Sequence, residues 1–517
     1  MIVDDTMTDR LPTVIVGAGT VGLFLAHELI QRGQKVILIE AGNDTIQSFK
    51  QNEYSSIGHA HNGVSIGRAK GIGGTSNLWG GQLAEFREAD IDQKGAFGQP
   101  SWPLSWEELH KYYPATYKKL GFSTIEPPQT EKLLMDAHDE ILEIFYTRWM
   151  KQPNFKYHFQ KDLMSSDLLT FYRDTVVTNL KFENEKCISI EVNRNGLPEA
   201  VKGFSRVILA NGTIEICRLL LISKKSENCP YKVNPWIGRY LQDHLNMVVG
   251  RIIGPSKTIF GRFANIIRNG EKLQPKIRMS TLKSNGKYIG ISGFFAFESN
   301  VSHHLDNVKQ FGKSLLGMSQ QRVGVTGTLK MIWKLMQAMP QIIMIIYYYL
   351  KKNRIYVPFS STITLTLQAQ QISNVKSSIT LSDGEMDDLR RPKAVVNWQI
   401  DGREFGEISN FCSAIDRYLM INGLGKLKLE KWFSQERVRQ DGSWLNQVSD
   451  VYHQAGGTIM SESSDSGVVD KNLRMHNSSN IYVCGASVLP TSGYANTTLT
   501  VLALTLRLAD HLIIGVE

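Results

Sequence analysis

The chain has 517 residues, 42% of them hydrophobic and 21% charged, which excludes a disordered or collagen-like polymer and exceeds what one ordinary core accommodates, so two large interlocked domains are expected. Its net charge is +9, yet lysine and arginine are scattered; this argues against a nucleic-acid surface and leaves a phosphorylated substrate or an anionic surface as what the charge would suit. The five cysteines (Cys187, Cys217, Cys229, Cys412, Cys484) have no CxxC spacing, which points to a reducing compartment, and Met1 to Arg10 is acidic and polar, unlike a secretory signal, so a cytoplasmic location is expected.

In chain order, Thr13 to Val16 reads as a short strand, followed by Gly17-Ala18-Gly19-Thr20-Val21-Gly22 and a helix-like stretch from Leu23 to Gln31. In this context each glycine has a role: Gly17 permits the tight turn, Gly19 lets backbone approach a pyrophosphate, and Gly22 lets the helix pack close to the strand. The helix N-terminus then offers unpaired N–H groups and partial positive charge to the phosphates. A second strand, Lys35 to Ile39, ends in Glu40, 18 residues after Gly22, where a carboxylate can accept hydrogen bonds from a ribose. The pattern predicts a Rossmann dinucleotide site.

Arg68 to Gly81, RAKGIGGTSNLWGG, is too rich in glycine for a stable helix or strand. Backbone without side chains at Gly71, Gly73 and Gly74 can lie against a flat ring system, which favours a flavin over a nicotinamide.

The middle of the chain holds strand-like runs at Ser361 to Ala369, Ser377 to Leu381 and Ala394 to Trp398, consistent with an antiparallel sheet in a substrate domain. Between Ala338 and Leu350 the sequence is AMPQIIMIIYYYL, flanked by Lys330, Lys334, Lys351, Lys352 and Arg354. About 20 apolar residues are needed to cross a bilayer, so this run is too short. It reads either as a buried helix of the second domain or as a helix lying in a membrane interface, with tyrosines at the boundary and basic residues toward anionic headgroups.

Towards the end come Tyr452-His453-Gln454-Ala455-Gly456-Gly457-Thr458, then Gly467-Val468-Val469-Asp470, Asn480-Ile481-Tyr482-Val483, and Ala486-Ser487-Val488-Leu489-Pro490-Thr491 leading into Asn496-Thr497-Thr498-Leu499-Thr500. With the opening Rossmann unit, the Gly73-Gly74-Thr75-Ser76 loop, Arg206 to Thr213 and the stretch Gly238 to His244, this succession resembles the glucose-methanol-choline (GMC) oxidoreductases over nearly the whole chain. The resemblance implies an α/β fold with a Rossmann-like FAD-binding domain assembled from residues 1–90, 165–250 and 445–517. Residues 91–164 and 251–444 would then form an α+β substrate domain with an antiparallel sheet and an apolar helical insert at 325–354. It also implies FAD as cofactor, held by Gly17, Gly19, Gly22, Glu40, Gly73, Gly74, Thr75, Ser76, Val177, Ala210, Gly212, Ala486, Ser487 and Thr497.

Oxidising an alcohol removes a hydride from carbon, which a flavin accepts, and a proton from oxygen, which needs a positioned base. The resemblance assigns that base to His453, and to Asn496 a hydrogen bond to the oxygen as charge develops on it. His244 reads as structural. His59, His61, His303, His304 and His476 have no supporting constellation, and no histidine pair has the helical spacing of a zinc site, so no metal is expected.

Within the family the His-Asn pair and the run Gly493 to Asn496 look most like the branch that oxidises sugars and related polyols, so the expected partner is a small carbohydrate-like alcohol or an aminoglycoside or glycan-type compound. Relatives that tether FAD do so through a histidine where this chain has Leu78, so the flavin should be non-covalent; Ile459 stands where arginine is common. The electron acceptor is unassigned, with a slight preference for one other than O2. The alternatives are a lyase of the same fold, and a membrane-associated protein acting on a lipid-linked alcohol.

Overall fold

The computed structural model of the protein describes residues 11–49, 54–92, 96–123, 131–133, 142–279, 289–299 and 339–514. Its organising element is a five-stranded parallel sheet in the order Ile481–Val483, Arg206–Leu209, Thr13–Val16, Val36–Ile39, Leu169–Tyr172. The central strands are runs of β-branched and leucine residues that are buried on both faces, as parallel strands flanked by helices must be. The four contributing stretches of sequence are far apart, so this domain is discontinuous, as the motif order predicts. Thr20–Gln31 leaves the first strand and packs against the terminal helix Thr498–Ile514.

A larger, antiparallel sheet stands beside it. Its main path runs Lys426–Leu429, Leu245–Ile253, Thr362–Ala369, Ile291–Glu298, Glu271–Met279, Leu142–Trp149, Gln82–Leu83. One face packs on the helix Glu404–Ile421, where Ile408, Phe411, Cys412, Ile415 and Leu419 share a core with Leu245, Ile277, Leu365 and Leu367. Side chains alternate between faces along a strand, so Lys276 and Arg278, which flank Ile277, turn the other way: Lys276 toward Gln368 and Arg278 toward the hydroxyl of Tyr494. A third sheet, Ala455–Gly457, Arg239–Gln242, Ser378–Met386, Pro392–Trp398 and Tyr54–Gly58, links the two.

The expected domain limits shift at two places. Leu245–Ile253 pairs along its length in the antiparallel sheet, so a limit at residue 250 cuts a strand. Tyr113–Lys119 and Phe155–Met164, expected in the substrate domain, pack on the helices of the parallel-sheet domain. Their aromatic side chains are the reason: Phe159 meets Phe24 at 5.8 Å between ring centroids, and the Tyr113 hydroxyl pairs with Thr500 Oγ1 at 2.9 Å.

The apolar run is helical over 339–352 but is not core: none of these residues is buried. Lys330, Lys334, His303, His304 and the first part of the 325–354 insert lie outside the described residues. Among the described residues, no helix is long and apolar enough to cross a membrane.

Candidate active site

A cavity of about 990 Å³ lies at the carboxyl ends of the parallel strands, where open α/β sheets bind ligands. Its volume is at the upper end for small-molecule sites, which suits a dinucleotide. Gly17 and Gly19 line it, with Glu40, Gly74, Thr75, Ser76, Val177, Ala210, Gly212, Ala486, Thr497 and His453; Gly22, Gly73, Ser487 and Asn496 do not.

The glycines behave as the local geometry requires. Gly17 has φ +100°, and a Cβ at Gly22 would lie 1.8 Å from the Gly17 carbonyl oxygen, so Gly22 serves helix–strand contact and not the ligand. At Gly19 a Cβ would have open space, with Gly74 Cα at 4.0 Å as its nearest neighbour. The helix it opens has no capping side chain and no acidic residue in its first turn, leaving its N-terminal amides and positive dipole end for an anion. Gly73 N–H donates to Ala18 O at 2.8 Å, which ties the second glycine-rich loop to the first.

Glu40 is placed beside the cavity but holds the loops as well. Its carboxylate accepts from the N–H groups of Ala18 at 2.8 Å, Gly42 at 3.0 Å and Gly71 at 3.0 Å. Burial pushes its pKa up and these amides oppose that shift. Among the described residues, the buried Ser487 hydroxyl finds no partner, and Asn211 Oδ1, at the cavity, has none either. A bare helix N-terminus, an open glycine backbone, a carboxylate at the second strand and orphaned polar atoms together fit FAD. Leu78 lines the same cavity.

At one end of the cavity lies a buried cluster that the sequence does not assemble. Asp243 Oδ2 accepts the backbone N–H of His453 at 2.9 Å, and Oδ1 accepts the backbone N–H groups of His244 at 2.8 Å and Val451 at 3.3 Å. Behind it, His61 Nε2 is 3.2 Å from Asp243 Oδ2 and His61 Nδ1 is 3.7 Å from Asp450 Oδ2. Burial works against charge on His61, but the two carboxylates outweigh it and raise its pKa. Burial alone would raise Asp243; His61 beside it, with His453 and His244, brings it below the usual carboxylate value. His61 is therefore buried within a constellation, and its place depends on the pairing of Tyr54–Gly58 with Pro392–Trp398, which no local motif announces.

His244 decides the state of His453. Its Nε2 faces the carbonyl oxygens of Ser492 at 3.1 Å and Gly493 at 2.9 Å. Carbonyls only accept, so this nitrogen carries hydrogen. Burial lowers the His244 pKa, and the neutral ring then has its lone pair on Nδ1. Nδ1 of His453 is 3.0 Å away and so must be the donor. This leaves Nε2 of His453 as the basic atom of a residue that lines the cavity. Burial, followed by the influence of His244 and Lys276, brings the His453 pKa down to about 3, with Asp243 opposing. Asn496 is half-buried on the loop into the terminal helix.

Residues 373–505 match the family model described as GMC oxidoreductase, and residues 10–55 match the one described as FAD binding domain. The chain carries a GMC oxidoreductase domain. A stretch of 61 residues is 44% identical to the fructose dehydrogenase large subunit of Gluconobacter japonicus, covering 12% of this chain and 11% of that subunit. Solved structures share the fold across the full length. Pyridoxine 4-oxidase from Mesorbium loti aligns with a TM-score of 0.61 and 16% identity over 97% of this chain and 99% of that one. A variant of formate oxidase from Aspergillus oryzae RIB40 gives 0.56 and 14%, over 98% of each. The match over residues 10–55 makes FAD the cofactor, and the cavity at the carboxyl ends of the parallel strands fits it.

Proposed function

We propose that the protein is an FAD-dependent oxidoreductase that converts a hydroxyl group of a sugar-like, aminoglycoside or glycan-type alcohol to a carbonyl, with His453 as general base. When bound, FAD supplies a hydride acceptor through its isoalloxazine ring. His453 Nε2 receives the hydroxyl proton, while the carbon–oxygen double bond forms from the electrons of the O–H bond. Asn496, which the resemblance pairs with His453 though it does not line the cavity, is assigned the hydrogen bond to the same oxygen; His244 holds the imidazole through Nδ1 and Asp243 holds the His453 backbone. The observation that carries this reading is the His244–His453 contact at 3.0 Å, because it leaves a neutral base with its free nitrogen at known identity. Leu78 in the cavity lining supports non-covalent flavin, and five buried free cysteines suit a cytoplasmic protein.

The test is an anaerobic spectrum of the purified flavoprotein as sugars, aminoglycoside precursors and simple alcohols are added in turn. Bleaching of the flavin band by one compound identifies the substrate class, and readmitted air then reports whether O2 is an acceptor. Conversion of a compound without bleaching would instead establish the lyase alternative. A lipid-linked alcohol is the second reading of the substrate, favoured by the exposure of residues 339–352.

A further inference from the structure

We infer that residues 339–352 form a docking helix that lies in the interface of an anionic bilayer. The segment reads MPQIIMIIYYYLKK, and its large apolar side chains stand in solvent: Ile343 is 58% exposed, Ile346 51%, Tyr349 50% and Leu350 66%. A helix that is apolar all round belongs in a core or in lipid, and this one is in no core. The apolar run from Ala338 to Leu350 is shorter than the roughly 20 apolar residues needed to cross a bilayer, so it is read as lying on the membrane.

Two further features fix the occupant as an anionic surface. From Met339 to Phe359 the sequence holds no acidic residue, while Lys351 and Lys352 are exposed at the helix end, beside three consecutive tyrosines of the kind that settle at headgroup level. The helix is also held in place. Asn353 closes it with φ 51°, Asn353 O accepts the Ile267 N–H at 2.7 Å, and Ile355 N–H donates to Asn265 O at 2.9 Å. Phe359, 51% exposed, continues the apolar patch past this anchor. A greasy, basic-ended helix pinned to the antiparallel sheet would dock the substrate domain onto lipid. None of its residues belongs to the flavin cavity, so the inference stands apart from the redox reading.

Sedimentation of the flavin-loaded protein with phosphatidylcholine vesicles, with and without phosphatidylserine, tests it without any turnover. Wild type should pellet with the phosphatidylserine vesicles. Lys351→Gln with Lys352→Gln should weaken that binding roughly thirtyfold, at about one lipid-facing charge each. Ile343→Asp with Ile346→Asp and Leu350→Asp should abolish it while flavin stays bound, which also reports that the variant is folded. Wild type that remains in the supernatant with both vesicle types would overturn the inference. So would a dimer in light scattering that the triple variant converts to monomer, since the helix would then be covered by a second copy.

Discussion

His244 Nδ1 lies 3.0 Å from His453 Nδ1, and the other His244 nitrogen is committed to the carbonyl oxygens of Ser492 and Gly493. Two carbonyls thus choose the tautomer of one histidine, and that histidine chooses the tautomer of the next. His453→Ala should keep FAD bound and slow flavin reduction by roughly 10² or more, the scale of a lost general base. His244→Phe removes the acceptor for His453 together with the donor to Ser492 and Gly493, so His453 can rotate and take the wrong tautomer; a smaller slowing, about tenfold or above, is expected in stopped-flow reduction. Unchanged reduction in His453→Ala would remove it as the base.

The pH dependence has a definite sign. A base held down to about 3 by burial and by His244 and Lys276 stays unprotonated well below the ordinary histidine value. Flavin reduction should therefore continue without a break through pH 6.5 as the solution is acidified. An acid limb centred near 6.5 in the single-turnover rate would show that His453 takes a proton like an exposed imidazole.

The first strand, the glycine turn and Glu40 were legible because a Rossmann unit is local: about thirty residues contain its whole logic. Ser361 to Ala369 and Ala394 to Trp398 were legible for the same reason, since alternation is a local signal, and they form the strands Thr362–Ala369 and Pro392–Trp398. What stayed hidden is what long-range pairing creates. His61 meets Asp243 and Asp450 across more than 180 positions of sequence, and His244 reads as structural until the fold sets it against His453. The apolar run from Ala338 to Leu350 was ambiguous because periodicity cannot separate a buried helix from an exposed one that is apolar on every side.

Gly19 and Gly22 should fail in different ways. Gly19→Leu has an ordinary backbone angle, φ −80°, and room for its Cβ, so the protein should fold with its usual melting temperature but lose flavin, measured as the ratio of flavin to protein absorbance. Gly22→Leu drives a Cβ to 1.8 Å from the Gly17 carbonyl oxygen and should lower both flavin content and melting temperature. Full flavin occupancy in Gly19→Leu would contradict the pyrophosphate path along that turn.

Glu40→Ala should cost more than a ligand contact. It strands the buried N–H groups of Ala18, Gly42 and Gly71, each at about 1–3 kcal/mol when unsatisfied. The expected outcome is a lower melting temperature in the flavin-free protein as well as weaker flavin retention. A melting temperature unchanged without flavin would mean that the three amides find other partners.

Lys276 is buried on the sheet face opposite the core, with Gln368 Oε1 at 3.0 Å as its hydrogen-bond acceptor and the Phe294 ring 5.1 Å from its ammonium. Burial pulls its pKa from 10.5 down to about 8. The folded state therefore binds this proton less tightly than the unfolded chain does. Between pH 8 and 10.5 the unfolded chain is protonated and the folded one is not, so stability rises with pH across that window and is lowest below it. A gap of this size corresponds to about 3 kcal/mol of destabilisation at neutral pH. Lys276→Met removes the charge with little change in volume and should raise the melting temperature at pH 7. Its advantage over wild type should shrink as the pH climbs past 8 and vanish above 10.5. An advantage that stays constant across that range would show that the gain comes from packing and not from the buried charge.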